Sequence, residues 1–149
     1  MAETDLIKLY SGRILALAAD IPHLERLDAP DATVKRRSPV CGSTVTVDLR
    51  MENGRVAAFG QDVKACALGQ AAASVTGAAI LGRSPAELVR ARDELRAMLK
   101  DGGPAPSAPF DGYEVLMPAR EFKNRHASIL LAIEAAAEAA QEAAQSDCA

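Results

Sequence analysis

Three side chains in this 149-residue chain carry chemistry that a metal ion or an electrophile would use: Cys41, Cys66 and His126. Cys41 sits in Ser38-Pro39-Val40-Cys41-Gly42, a loop bracketed by Pro and Gly just before an alternating segment. That segment turns back at Asn53-Gly54 and delivers the chain to Cys66, so a hairpin would set the two thiols near each other despite their separation in sequence. Cys66 opens a helix, where free N–H groups and the positive dipole end favour the thiolate form that binds metal or attacks an electrophile. His126 offers a third ligand, because histidine is the usual partner of cysteine in mixed zinc sites. A bland alternative stands beside this: free cysteines are often small buried hydrophobes, and a lone histidine on a helix is usually an ordinary surface or core residue.

The other candidates are weaker. His23 lies in a loop with no cysteine beside it, and Cys148 is expected to be too mobile to serve as a ligand. There is no Cys-x-x-Cys pair, so a compact zinc finger is excluded and any site must be assembled from distant segments. Ser128 follows His126 by two residues, but no acidic orienter can be assigned, so a catalytic triad is rejected. The scattered glycines form no phosphate-cradling loop between a strand and a helix.

The elements that must position these residues follow from pattern and composition. With 49% hydrophobic residues the chain is expected to form one globular domain over residues 1–149. The formal charge of -3 argues against nucleic acid, and 3% aromatic residues with no Trp leave little material for base stacking. Met1 to Leu9 carries Glu3 and Asp5 and lacks the basic and apolar blocks of a secretory signal, so a cytoplasmic location with reduced thiols is expected. Leu6, Tyr10, Ile14 and Leu17 share one face and predict a first helix over Asp5 to Ala19. Ala32 to Arg36 is β-branched in its middle and reads as a short strand.

From Ser43 the period becomes two: Val45, Val47, Leu49 and Met51 alternate with Thr44, Thr46, Asp48 and Arg50, the pattern of a half-buried strand. Asn53-Gly54 supplies the tight turn, and Arg55 to Asp62 should return antiparallel. Ala65 to Gly82 holds no charged residue, yet its alanines, glycines, Gln70, Ser74 and Thr76 suit a buried core helix from about Cys66 to Leu81 rather than a membrane span. Ser84-Pro85-Ala86-Glu87 is a capping box that starts the next helix, with Leu88, Ala91, Leu95 and Leu99 on one face. Asp101 to Phe110 is a proline- and glycine-rich loop. Pro118 is expected to open the last helix, which ends in a solvated alanine- and glutamate-rich tail from about residue 134, since Glu134, Glu138 and Glu142 repel one another along one face.

In order along the chain, several of these segments resemble the U-type iron–sulfur cluster assembly scaffold family, the NifU N-terminal, IscU and SufU group. Pro39-Val40-Cys41-Gly42 is similar to the family's Asn-Pro-x-Cys-Gly-Asp segment, and Phe59 to Cys66 to the strand that leads to its second ligand cysteine. Gly69-Gln70-Ala71-Ala72-Ala73-Ser74 matches the small-residue helix, Gly82-Arg83-Ser84-Pro85-Ala86-Glu87 the Gly-Lys-Ser-x-x-Glu linker, and His126-Ala127-Ser128-Ile129-Leu130 the segment His-Cys-Ser-Ile-Leu. The resemblance implies an α+β domain in which a three-stranded antiparallel sheet packs against several helices. It also implies a labile iron–sulfur cluster or zinc at one end, sulfur from a cysteine desulfurase, delivery to carriers or apo-protein recipients, and no substrate turnover.

Residue by residue, the family's cysteine ligands fall on Cys41, Cys66 and position 127, with His126 as the neighbouring group. Two positions depart: Ala127 stands where the third cysteine belongs, and Ser43 replaces an aspartate. The remaining set, Cys41, Cys66 and His126, would hold iron, an iron–sulfur cluster or zinc with a fourth position open. The competing expectation is an interaction or regulatory module of the same fold that has lost cluster assembly and keeps at most a structural zinc.

Overall fold

A computed structural model describes residues 11–39 and 42–148, the side chains of 146–148 excepted. Ser11 caps the first described helix, α1 (Gly12–Ala19), its hydroxyl accepting the Ile14 N–H. The expected start of this helix at Asp5 lies outside the described residues. Three strands follow, β1 (Ala32–Arg37), β2 (Thr44–Glu52) and β3 (Arg55–Lys64), in the antiparallel order β1-β2-β3. Asn53 and Gly54 take the positive φ values that the tight turn between β2 and β3 requires. Val34 pairs with Val47, and Leu49 with Phe59, so the apolar alternation of all three strands falls in register on one face.

The second face of β2 departs from the half-buried expectation. Asp48 is fully buried and Thr46 nearly so. The irregular segment between α1 and β1 crosses this face and covers it. Gly60 makes the crossing feasible, since a Cβ there would lie 2.0 Å from the Glu25 carbonyl oxygen. The Gln61 N–H bonds the His23 carbonyl at 2.9 Å, and its side-chain amide donates to Pro22 and to Ala73. Asp48 then gathers the strap, accepting from Arg26 through both Nε and Nη2, from the Leu27 N–H and from the Thr33 hydroxyl. Burial alone would push this carboxyl up; the hydrogen bonds from Arg26, Thr33 and Leu27 and the Arg26 charge outweigh it and hold Asp48 below the usual carboxylate range.

Helix α2 (Ala67–Ala79) is buried on nearly every side, as its lack of charge requires. Its small residues are contact points: a Cβ at Gly77 would meet Pro22, and one at Gly69 would meet Ser128. Helix α3 (Pro85–Lys100) starts with the full capping box of Ser84 and Glu87 and buries Leu88, Ala91, Leu95, Met98 and Leu99.

The last helix begins later than the position of Pro118 suggests. Asp111–Glu121 is a 3-10 helix with Pro118 inside it, Phe122 leaves helical geometry with ψ 78°, and α4 (Lys123–Cys148) starts beyond that break. Nor is its alanine-rich end a solvated tail. Ala135, Ala136, Ala137, Ala139, Ala140 and Ala143 are fully buried against the sheet and the neighbouring helices. Methyl side chains let the helix approach closely, and two of the glutamates that would repel one another find cations instead: Arg96 and Arg36 reach Glu134, and Arg36 reaches Glu138. Among the described residues no helix is long and apolar enough to cross a membrane.

Candidate functional site

At one end of the sheet Arg37 pairs with Thr44, and Thr44 with Lys64. The β1–β2 connection and the exit from β3 therefore emerge side by side. The connection closes on itself: the Gly42 N–H bonds the Ser38 carbonyl at 3.1 Å, the Ser38 N–H bonds the Ser43 carbonyl at 2.8 Å, and Gly42 adopts φ 73°. Cys41, the first ligand candidate, lies outside the described residues, but its neighbours Gly42 and Ser43 place this connection at the site.

Two residues beyond Lys64, Cys66 is the N-cap of α2. Its thiol is partly exposed and forms no side-chain cap, so it projects away from the first turn of the helix. The Cys66 Sγ instead meets the Ser128 Oγ of α4 at 3.4 Å, and the Ser128 hydroxyl donates to the Ser43 Oγ at 3.1 Å. Three elements distant in sequence are thus joined by one thiol and two hydroxyls. Gly69 is what admits Ser128, because a Cβ at that position would lie 2.7 Å from the Ser128 Oγ. Arg37 and Lys64 are exposed at this end of the sheet, which favours an anionic occupant.

His126 is engaged through Nε2 on another side of α4. It precedes Ser128 by two residues on α4, about 200° around the helix, so the two side chains leave on opposite sides. The ring is 2% exposed, and its Nε2 lies 3.1 Å from the carbonyl oxygens of both Ala119 and Arg120. A carbonyl only accepts, so Nε2 carries the proton and donates to both. These carbonyls belong to the last turn of the 3-10 helix, where the break at Phe122 interrupts the backbone ladder. Burial pushes the His126 pKa down, the two carbonyls oppose that, and the nearby Lys100 and Lys123 add to it. A neutral imidazole bracing the 3-10 helix is the result.

Of the expected set Cys41, Cys66 and His126, the described residues hold Cys66 and His126, which take different partners. The described residues bring Cys66 to Ser43 and Ser128, and among them no three His, Cys, Asp or Glu side chains converge as a metal-binding group. Ser128 stood in the sequence only as an implausible nucleophile, and Ser43 only as a departure from a motif. The one local signal for their role was Gly69, a residue without a side chain opposite a serine, and recognising it requires knowing that α2 and α4 touch.

No family model and no curated protein matches the chain. Solved structures do. A crystal structure of a nitrogen-fixing NifU-like protein (N-terminal) from Brucella abortus is 41% identical, with a TM-score of 0.92 over 95% of this chain and 98% of that one. A SufU structure from the thermophile Fervidobacterium islandicum AW-1, described as an iron–sulfur cluster assembly scaffold protein for the SUF system, superposes with a TM-score of 0.79. It covers 90% of this chain and 98% of that one, and at 15% identity it speaks for the fold alone.

Proposed function

Because the chain belongs to the U-type iron–sulfur cluster assembly scaffold family, we propose that it carries iron, an iron–sulfur cluster or zinc as cargo at the sheet end where the β1–β2 connection reaches Cys66, with Cys41 and Cys66 among its ligands. The observation that carries this reading is the seat of Cys66 at the N-cap of α2, partly exposed and fixed between Ser128 and the Ser43 connection, beside two exposed cations. Clusters are ordinarily held by four thiolate-type ligands. With Cys41 and Cys66 as thiolate ligands, the positions that His126 does not fill fall to ligands from outside the chain: water at a zinc ion, or the thiols of a donor, a recipient or a small thiol compound. Incomplete ligation suits cargo that has to leave.

On this reading the protein turns over no substrate. Sulfur comes from a cysteine desulfurase, finished clusters pass to carriers or apo-protein recipients, and the exchange takes place in the cytoplasm. A ligand role for His126 would run through Nδ1 alone, since Nε2 is engaged. The test is elemental analysis for iron and zinc on protein purified without oxygen or chelator, beside the Cys41→Ala, Cys66→Ala double variant and His126→Ala. Near-stoichiometric metal in the wild type, lost in the double variant, is expected. Absence of metal from the wild type, together with a colourless product after anaerobic reconstitution with iron and sulfide, would refute it.

The second reading, an interaction or regulatory module that has lost cluster assembly, is favoured by one observation. Hydroxyls occupy the space beside Cys66, and among the described residues no three ligating groups converge. Such a module would stay colourless and melt at the same temperature with or without a chelator.

A further inference from the structure

A serine inside a helix ordinarily turns its hydroxyl back to the carbonyl four residues earlier or outward to water. Ser128 does neither. Its side chain is 1% exposed and points between Cys66 of α2 and Ser43 of the β1–β2 connection. Ser43 is itself 5% exposed. Burying a hydroxyl costs free energy unless it is bonded, and Ser128 sits between the Cys66 sulfur and the Ser43 hydroxyl.

We propose that Ser128 is the positioning residue of Cys66, and that Ser43 backs it, so that a hydroxyl donor faces the sulfur whenever that sulfur holds cargo. The role rests on the scaffold reading for its purpose but not for its geometry. Each hydroxyl has one proton to give. The Ser128 O–H points to the Ser43 Oγ; with that one proton committed, the Cys66 S–H is left to donate to the Ser128 Oγ while Cys66 is a thiol. A sulfur bound to metal has lost that proton and only accepts. The Ser128 O–H then rotates from Ser43 to donate to the sulfur. No bond is made or broken beyond the displacement of the thiol proton by metal. Oxygen donors on a ligating sulfur draw off electron density, stabilise the reduced state and raise the reduction potential.

The test uses the full chain reconstituted anaerobically with iron and sulfide, comparing wild type, Ser128→Ala, Ser43→Ala and Cys66→Ala. The expected result is that Ser128→Ala loads iron and sulfide to the wild-type level with a more negative midpoint potential by voltammetry, and that Ser43→Ala loads to the same level with a smaller shift. A loaded Ser128→Ala at the wild-type potential would overturn the proposal. So would a load as low as that of Cys66→Ala, because Ser128 would then be a ligand. A second measurement needs no cargo: three-bond couplings across the Cys66 Cβ in the metal-free protein. One χ1 rotamer is expected in the wild type and rotamer averaging in Ser128→Ala, whereas identical couplings refute the positioning role. A wild type that takes up no cluster overturns the scaffold reading, and the couplings alone then decide the role of Ser128.

Discussion

Replacing Gly69 by alanine sets two physical effects against each other at the site. An alanine in a helix gains up to ~1 kcal/mol over glycine from backbone entropy. Against this, the added Cβ would lie 2.7 Å from the Ser128 Oγ, 2.8 Å from the Ala65 Cβ and 3.2 Å from the Ser128 carbonyl oxygen. The first overlap is relieved by rotating Ser128, which breaks its contact with Cys66. The other two involve a backbone-fixed methyl and a main-chain oxygen, so the first turn of α2 has to retreat by several tenths of an ångström from α4. Overpacking of this kind costs about 1–3 kcal/mol. Steric overlap is expected to win, with a net loss of up to ~2 kcal/mol after the entropy gain is subtracted and a fall in melting temperature of roughly 2–4 °C per kcal/mol for a domain of this size. Gly12→Ala is the control: nothing lies within 4 Å of its Cβ position, so the same substitution there should be neutral or stabilising. Urea and thermal unfolding of both variants give the answer. A Gly69→Ala chain as stable as the wild type, or more so, would refute the claim that close approach of α2 to α4 builds the site.

Two further substitutions probe the strap that covers the second face of the sheet. Gly60→Ala puts a Cβ 2.0 Å from the Glu25 carbonyl, with backbone on both sides, and should cost ~3 kcal/mol or more by urea unfolding; a loss under ~1 kcal/mol would contradict the crossing. Asp48 has its pKa held below the usual carboxylate range, so its contribution to stability is fully present above the unfolded value of ~3.9 and is lost as pH falls below it toward the folded value. Asp48→Asn should lower stability at pH 7 and make the acid limb of the stability curve shallower, and a limb parallel to that of the wild type would show that Asp48 is not paired as described.

Much of the architecture was legible because it is local. The alternation of Val45, Val47 and Leu49, the Asn53-Gly54 turn, the charge-free stretch after Cys66 and the Ser84-Glu87 capping box each depend on residues a few positions apart, and all form as their spacing predicts. The face of Asp48 read as solvent-exposed because nothing in β2 itself reveals that residues from another segment will cross it. Likewise, the glutamates of α4 read as a repelling, solvated edge because their arginine partners come from β1 and α3.

The candidate site divides along the same line. By itself the sequence determined that two of its cysteines flank the hairpin, that Ser43 and Ala127 stand where the family has an aspartate and a cysteine, and that a helix begins at Cys66, since composition and period-two or capping patterns are properties of a single stretch of chain. Only the tertiary structure decided which groups meet the Cys66 sulfur. A helix turns by about 100° per residue, so a one- or two-residue difference in which side of α4 faces α2 decides whether Ser128 or His126 meets the Cys66 sulfur. That orientation is set by where Gly69 leaves room and where the alanines of α4 seat against the sheet, contacts between residues far apart in the chain.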